Sequence, residues 1–343
     1  MNARGVALLT AIILVAVAAL VATAIVSRSD MDARRGAAVA TVEQSLELAK
    51  GAEALAAYAL RDNRQKNSQV VSMAQPWAQP YGPVELDQGA VLEAQLEDEA
   101  GKFNLNSLVG NGAAGSAGAP AGQGPTTPLA QPLAGTAAGD PANAAGVTWV
   151  KNDRAFAQFE FLLQELGLST DFAARLLDWI DSDDLPTFPG GAEDTVYLAQ
   201  QPPHHVPNLP ILSVSELLAM GMDRASYDRL VPYVTALPPS VPLNLCTASG
   251  EVLDALAGQR SFSVDPALLQ QQRAQFDCFP NRNTFLAGVP PDAANALNIA
   301  TTSSWFRLRS WITIGTTRFT LYSLIEQDGS GQIRPVLRTY GTE

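Results

Sequence analysis

The sequence predicts an α+β fold: a long N-terminal helix and an antiparallel sheet, interrupted by a large inserted all-helical domain. Three observations predict it. An apolar run opens the chain and continues into an amphipathic segment, strand-like alternation appears both early and late, and helical periodicity dominates between them. The early strands have no partner except the late ones. The helical part is therefore predicted to be inserted into the sheet domain.

The first element is an apolar run over residues 6–26 that contains no charged residue. As a helix, a run of this length covers about 30 Å, the thickness of a bilayer's hydrocarbon core. Arg4 precedes it, which favours an N-terminus in the cytoplasm and the rest of the chain outside. The alternative is an ordinary secretory signal cleaved at "ATA", with a soluble protein beginning near Ile25.

A single helix is predicted to continue beyond the membrane, because residues 27–61 contain no proline. The outer half is amphipathic and needs a surface to pack on. Its predicted apolar face comprises Leu48, Ala52, Leu55 and Ala59.

The sheet is predicted from two regions. Residues 90–108 have the pattern of two short strands around a turn at Gly101. The last forty residues alternate in three runs, with "DGSG" as a hairpin turn, and predict a three-stranded antiparallel meander. Between these regions lie a Gly/Ala/Pro tract, predicted to be a flexible linker, and a series of helical segments.

Composition and motifs argue against two classes of function. The chain has 22 Lys and Arg against 34 Asp and Glu, a net charge of −12, so nucleic acid is not expected as a partner. No G-x-S-x-G motif occurs, and the only histidines are His204 and His205, adjacent in a proline-flanked loop. We identify no catalytic residue and predict that the protein is not an enzyme.

The densest polar cluster follows "LDWI" and surrounds a Pro/Gly turn. Clustered carboxylates repel one another unless they are solvated or neutralised by a hard cation, and calcium prefers six to eight oxygen ligands. It is not an EF-hand, because Leu185 and Pro186 stand where that motif needs an oxygen ligand and glycine. A calcium site and a merely solvated acidic loop both remain open. The candidate ligands are Asp181, Asp183, Asp184, Glu193 and Asp194.

The two cysteines, Cys246 and Cys278, fall in the part predicted to face outward. In an oxidising compartment a disulfide is favoured over two buried thiols. Closing a loop of this size contributes about 3–4 kcal/mol in the chain-entropy view.

Several stretches, in this order and across nearly the whole chain, resemble the minor pseudopilin K family of the type II secretion system, also called general secretion pathway protein K. They are "RGVALLTAIILVAVAAL", "LEDEAGKFNLNSL", "LDWIDSDD" with "PGGAEDTVYL", "LPILSVSEL", "PYVTALP" and "LNLCTASGEVLDAL". The resemblance implies a pseudopilin fold and a structural protein. The divisions expected are a leader peptide at 1–5, a transmembrane segment at 6–26, the N-terminal helix and first strands at 27–110, a linker at 111–146, the inserted helical domain at 147–295 and the last strands at 296–343.

The resemblance also implies processing at the N-terminus. Prepilin peptidase would cleave after Gly5 and leave an N-methylated Val6. Pseudopilins generally carry Glu at the fifth mature position, where this chain has Thr10. A subunit at the tip of the fibre has no neighbour above it that needs this acid, so Thr10 is expected to mark the tip position.

The implied function is to prime a periplasmic pseudopilus and limit its length during export of folded proteins through the outer membrane. Minor pseudopilins I and J are the expected tip partners, with H beneath, together with prepilin peptidase and the inner-membrane assembly platform. The chain would be anchored in a bacterial inner membrane, with its bulk in the periplasm and a structural calcium ion in the helical domain. The alternatives are a secreted hydrolase with an ordinary signal peptide and a minor pilin of a type IV pilus.

Overall fold

The structure, a computed structural model, describes residues 3–67, 69–86, 89–111 and 147–341. Its α-helices are α1 (Ala3–Lys66), α2 (Asp153–Glu165), α3 (Asp171–Ile180), α4 (Asp194–Tyr197), α5 (Glu216–Ala219), α6 (Arg224–Leu230), α7 (Gly250–Ala257), α8 (Pro266–Gln275), α9 (Arg282–Ala287) and α10 (Pro291–Ala294). Its strands are β1 (Tyr81–Glu85), β2 (Ala90–Asp98), β3 (Phe103–Asn104), β4 (Val109–Asn111), β5 (Trp149–Lys151), β6 (Val234–Thr235), β7 (Leu243–Asn244), β8 (Ile299–Ala300), β9 (Trp305–Ile314), β10 (Thr317–Gln327) and β11 (Ile333–Tyr340).

Helix α1 is continuous over 64 residues, which confirms the prediction of a single long helix. By length and composition it can cross a membrane, and the side chains of its most apolar window are not buried by the rest of the chain. Gly5, Val6 and Thr10 belong to its first turns, and the side chains of residues 3–10 lie outside the described part of the structure.

The face of α1 that is buried against the sheet matches the predicted face only in part. Ala49, Ala52 and Ala56 are buried against the sheet, whereas Leu55 is 46% exposed. Both faces have helical spacing, and the sequence pattern favoured the one richer in leucine. The alanine face is buried because small side chains let the helix axis approach strands β9 and β10 closely.

The main sheet has five strands in the order β1-β2-β9-β10-β11, and every pair is antiparallel. Strands β9 to β11 form the predicted meander, and the early strand β2 pairs with β9. Asp98, the last residue of β2, lies opposite Phe306 near the start of β9. All the described helices after α1 are thus inserted between two neighbouring strands.

The segment around Gly101 differs from the prediction of two short strands around a turn. Strand β2 has nine residues and is followed by a 3-10 turn, and β3 then pairs in parallel with β6 of the inserted part. A Cβ at Gly101 would lie 2.5 Å from Thr247 Oγ1, so the turn packs directly against the inserted part. Two carboxylates at this turn, Asp98 and Glu99, are buried.

The first of these carboxylates, Asp98, joins the two parts of the molecule. It accepts hydrogen bonds from Asn244 Nδ2 at 2.9 Å, Thr247 Oγ1 at 2.6 Å and Ser303 Oγ at 2.6 Å. The amide of Ala100 donates a fourth at 2.9 Å. Burial raises the pKa of Asp98, and these hydrogen bonds oppose the rise.

The second carboxylate, Glu99, is fully buried and paired with cations. Lys102 Nζ lies 2.9 Å and Arg307 Nε 3.0 Å from Oε1, and Thr235 Oγ1 donates to Oε2 at 2.6 Å. Burial alone would raise the pKa of Glu99, but the two positive charges outweigh it and lower that pKa. Glu99 therefore connects the end of β2 to both β6 and β9.

Two apolar cores lie on either side of this junction. One is formed by α1 and the sheet, with Trp77 edge-on to Phe306 at a ring distance of 5.2 Å. The other lies among the inserted helices, where Phe103 stacks on Phe159 at 5.6 Å. Phe103 belongs to β3, so the first strand after the junction already contributes to the second core.

The predicted linker begins and ends at one small ladder. Asn111 of β4 pairs with Trp149 of β5, so the two ends of the tract are held side by side. The rest of the tract, residues 112–146, lies outside the described residues. A loop closed in this way tolerates great length, because closure entropy grows only slowly with loop length.

The predicted disulfide between Cys246 and Cys278 is present, with its Cα atoms 4.6 Å apart. It ties the segment after β7 to the segment after α8. Arg273 of α8 reinforces this connection by donating to the carbonyl oxygens of Ala248 at 2.6 Å and Phe279 at 2.8 Å.

Where α1 meets the sheet, Glu53 accepts from Arg338 at 2.7 Å through both oxygens and from Ser323 Oγ at 2.5 Å. Burial by itself would raise the pKa of Glu53, but these hydrogen bonds outweigh it and hold that pKa below its usual range.

We expect Glu53→Gln to lower the free energy of unfolding at pH 7 by about 1–3 kcal/mol, because it weakens charge-assisted hydrogen bonds. The lowered folded-state pKa stabilises the protein above the unfolded-state value of about 4.3, and this stabilisation is lost as pH falls through the folded value. Denaturant unfolding of the variant should therefore depend less on pH in that window.

The matched control is Glu93→Gln, which removes a more exposed carboxylate 3.4 Å from Arg318. A loss within about 0.5 kcal/mol is expected there. Equal losses in the two variants would contradict a special role for Glu53.

Candidate metal centre

The acidic loop, residues 181–193, connects α3 to α4. Helix α3 buries an apolar face that includes Leu176, Leu177 and Ile180, which fixes its C-terminal turn against the core. Ser182 holds the start of the loop: its Oγ accepts from the amide of Trp149 at 2.8 Å, and its own amide donates to the Trp149 carbonyl at 3.1 Å. The loop thus begins from a rigid base.

Asp178 supports the loop from inside. It is fully buried, and its two carboxylate oxygens lie 3.0 and 3.1 Å from the amide nitrogen of Thr187. Burial raises the pKa of Asp178, and these bonds oppose the rise. Gly191 packs so closely that a Cβ there would collide with the Asp178 carboxylate and the Thr187 carbonyl.

Three of the predicted ligands come together. Asp181, Asp183 and Glu193 each place a carboxylate oxygen within 4.8 Å of the others. Asp181 and Glu193 are buried, whereas Asp183 is exposed. The group therefore spans the loop from its first residue to its last, with one member facing solvent.

Electrostatics disfavour the charged forms of the buried members of this group. Burial, followed by the charges of Asp183 and Asp178, raises the pKa of Asp181 to about 7. Burial, followed by the neighbouring carboxylates, raises the pKa of Glu193 to about 8. These acids repel one another, and an added cation would relieve the repulsion.

The buried acids also have unused oxygens. Among the described residues, Asp181 Oδ1 and Glu193 Oε1 have no hydrogen-bond partner. An unpaired buried carboxylate oxygen is costly unless a proton, a water molecule or a cation binds it. The oxygen-only donor set of this group suits a hard cation such as calcium.

The other two predicted ligands are placed differently. Asp184 lies outside the close group and acts on Glu193 through its charge. Asp194 turns toward the next segment, where it accepts from the Val206 amide at 2.8 Å and lies 2.7 Å from His205 Nδ1. The Val206 hydrogen bond and the contact with His205 lower the pKa of Asp194.

An aromatic wall lies beside the group. Trp179 meets Tyr197 edge-on at a ring distance of 5.2 Å, and His204 lies 5.2 Å from Tyr197 on ring centroids. Burial raises the pKa of Tyr197 to about 12, so this phenol is neutral. The sequence did not indicate this wall, which depends on how α4 folds back on α3. It also did not indicate the supporting role of Asp178, which depends on how the loop folds over that residue.

Comparison with known proteins gives a consistent result. A family model described as type II secretion system (T2SS), protein K, matches residues 101–239. The type II secretion system protein K of Dickeya chrysanthemi is 30% identical over 98% of this chain and 97% of its own length. That of Pseudomonas aeruginosa is 29% identical over 98% of this chain and 93% of its own length.

A solved structure is also similar. A chain of the crystal structure of the GspK-GspI-GspJ complex from the enterotoxigenic Escherichia coli type 2 secretion system matches with a TM-score of 0.67 and 27% identity. The match covers 90% of this chain and all of that chain.

We expect Gly191→Ala to destabilise the helical part by about 1–3 kcal/mol, because the new methyl group would force apart Asp178 and Thr187. Thermal unfolding of the purified chain measures this effect. Gly51→Ala is the control, since Gly51 is helical and a Cβ there meets nothing within 4 Å. A neutral Gly191→Ala variant would contradict the close packing of the loop.

Proposed function

The chain belongs to the type II secretion system protein K family, and from this premise we propose that it is the tip subunit of the pseudopilus. In this role it primes assembly and limits fibre length while folded proteins are exported through the outer membrane. The observation that carries the proposal is the insertion of a whole helical module, residues 147–295, between two neighbouring strands of a sheet packed on α1.

The architecture supports capping on steric grounds. A subunit with only α1 and a small sheet can be covered by the next subunit of a fibre. Here the chain leaves the sheet at Asp98 and returns beside it at Phe306, with the helical module in between. Buried carboxylates hold this module in place, so it acts as a rigid obstacle to a subunit above.

We propose that the assembly partners are the cognate I and J pseudopilins, because a similar structure is a complex of GspK with GspI and GspJ. H beneath this tip, prepilin peptidase and the inner-membrane assembly platform complete the proposed set. The apolar part of α1 supports a single-pass anchor in the inner membrane. The disulfide fits an oxidising periplasm for the remainder of the chain.

Removal of the whole segment between β2 and β9, which includes the helical module, tests the capping proposal directly. Because Asp98 and Phe306 are paired neighbours, a short Asn-Gly turn can replace residues 100–303 and join β2 to β9 as a hairpin. We expect cells that produce this variant to form longer pseudopili and to secrete less, measured by electron microscopy and by secreted enzyme activity. Normal fibre length with a folded, membrane-inserted variant would contradict capping.

We propose that Gly5 and Val6 flank the processing site and that Thr10 marks the tip position. Mass spectrometry of the mature chain, purified from membranes that contain the prepilin peptidase, should show an N-methylated Val6 start. A start near Ile25 in a soluble fraction would contradict the pseudopilin anchor and favour an ordinary secreted protein.

We also propose that the acidic loop binds a structural calcium ion through Asp181, Asp183 and Glu193. The support is the pair of buried oxygens without partners, Asp181 Oδ1 and Glu193 Oε1, within a group of three carboxylates. Calcium would neutralise their mutual repulsion and hold the two ends of the loop together. The other two predicted ligands are less suitable, because Asp194 already contacts Val206 and His205, and Asp184 lies outside the group.

Chelation and a loop variant test the calcium proposal. Calcium at about a hundred times its dissociation constant should add about 2.7 kcal/mol to the free energy of unfolding, and EDTA should remove it. Asp181→Asn should abolish this response, whereas the control Asp184→Asn should retain most of it. Calcium must displace protons from Asp181 and Glu193, whose pKa values are raised to about 7 and about 8, so affinity should fall as pH drops below about 8. A melting curve insensitive to calcium would contradict the site.

A further inference from the structure

One stretch of the helical module is fixed more firmly at its ends than along its length. Residues 264–278, which we call the α8 segment, contain α8 and end at Cys278. Just before the segment, the buried Asp254 accepts hydrogen bonds from the backbone amides of residues 261–263 at 2.7–2.9 Å. Just after it, Arg282 donates to a carbonyl oxygen of β8 at 2.9 Å. The segment is thus bounded on both sides by fixed points of the fold.

Between these points the α8 segment packs weakly. Within residues 264–278, all of which the structure describes, only Leu269 is buried, and it packs in the core of the helical module. Val264 is 72% exposed and Phe276 54% exposed. Helix α8 has ten residues, a length that is marginal for an isolated helix in water. The conformation of the segment therefore depends on its connections to the rest of the chain.

One side of the α8 segment faces an open cavity of about 500 Å³. The residues on this side have the spacing of one helix face. They are Gln270, Arg273, Ala274 and Asp277. The opposite wall contains Gly101, in the turn after β2, and Thr247, which donates to Asp98 at 2.6 Å. The α8 segment therefore covers the junction between the sheet and the helical module.

Two polar or covalent connections hold the α8 segment to the described part of the module. Arg273 Nη2 donates to the carbonyl oxygens of Leu245 at 3.2 Å and Ala248 at 2.6 Å. Burial lowers the pKa of Arg273 to about 10, because the guanidinium loses hydration here, and this loss opposes the hydrogen bonds. The second connection is the disulfide between Cys246 and Cys278.

We propose that this disulfide is a redox latch: its formation closes the α8 segment over the cavity, and its reduction opens the segment while both apolar cores stay folded. The inference goes beyond capping and does not depend on it. After reduction, Leu269 and the dehydrated Arg273 remain to hold the segment, whereas Asp254 and Arg282 still fix the chain on either side. Opening rehydrates Arg273 and gives water access to the junction at Asp98.

The redox step is a thiol–disulfide exchange with a dithiol. A thiolate of the dithiol attacks Cys278 Sγ, because Cys278 is half-buried whereas Cys246 is 1% exposed. The disulfide bond breaks, and its electron pair and a proton pass to Cys246 Sγ. The second thiol then attacks the mixed disulfide, releases the Cys278 thiol and closes the reductant to its own disulfide. The protein gains two electrons and two protons, and the reverse exchange with such a disulfide closes the latch.

Cleavage by trypsin after Arg273 measures opening, because the closed segment holds this arginine against the module. The full-length chain in detergent micelles is compared, without reductant, with a variant that combines Cys246→Ser and Cys278→Ser. We expect cleavage after Arg273 to be at least about tenfold faster in the variant, because weakly packed segments open locally. Cleavage after Arg282, which also donates to a backbone carbonyl, is the matched control and should keep its wild-type rate.

Reduction of the wild-type chain with dithiothreitol gives a second measurement without any substitution. Hydrogen exchange, followed by mass spectrometry, should become at least about tenfold faster in peptides from α8 and stay unchanged in peptides from α2 and β9. Reoxidation should restore slow exchange. Leu269→Ala should accelerate exchange of α8 more in the reduced chain than in the oxidised chain, because the disulfide no longer shares the load.

Two results would overturn the latch. Equal acceleration of cleavage after Arg273 and Arg282 would mean that the disulfide stabilises the whole module and not the α8 segment alone. Unchanged exchange of α8 after complete reduction would mean that the segment stays closed without the bond. Neither result would contradict capping, which the deletion between β2 and β9 tests separately.

Discussion

The fold depends on two adjacent carboxylates, Asp98 and Glu99, buried where the sheet meets the helical module. A buried carboxylate is tolerated only when its oxygens are satisfied. The partners here come from distant parts of the chain: Asn244 and Thr247 of the module, and Ser303 just before β9. Neither the module nor the return of the chain to the sheet can shift without leaving a buried acid unsatisfied. This requirement fixes the position of the inserted module relative to the sheet that packs on α1.

The acidic loop presents the opposite case. Asp98 accepts four hydrogen bonds, whereas Asp181 and Glu193 each retain a buried oxygen without a partner among the described residues. The protein thus satisfies Asp98 with its own donors, whereas the described residues supply no donor to these two oxygens of the loop. The contrast supports an ion at the loop, since the same chain elsewhere supplies abundant donors to buried carboxylates. The loop would then depend on an external cation, while the junction would not.

Much of the fold follows from local patterns. Helical spacing predicted α1 and the inserted helices, alternation predicted the C-terminal meander, and the count of two cysteines allowed only one pairing. These features depend on neighbours in sequence, so periodicity reveals them. Alternation did not predict the pairing of β3, because its two residues pair with β6 and do not form a hairpin with β2. That choice depends on Asp98 and Glu99 finding partners more than a hundred residues away.

The sequence by itself determined the apolar anchor, the order of elements, the disulfide pair and the position of the acidic loop. Each of these depends on residue types or residue counts that can be identified without knowing which distant segments contact one another. Only the tertiary structure decided that Ala49 and Ala56, rather than Leu55, lie with the predicted Ala52 against the sheet, because small side chains allow the helix to approach the strands closely. Only the tertiary structure distinguished Asp181, which has a buried oxygen without a partner among the described residues, from Asp194, which accepts from the Val206 amide. Burial and competing hydrogen-bond partners are properties of the folded chain. Strand register likewise brought Arg309 beside Tyr322, a juxtaposition that no local spacing contains.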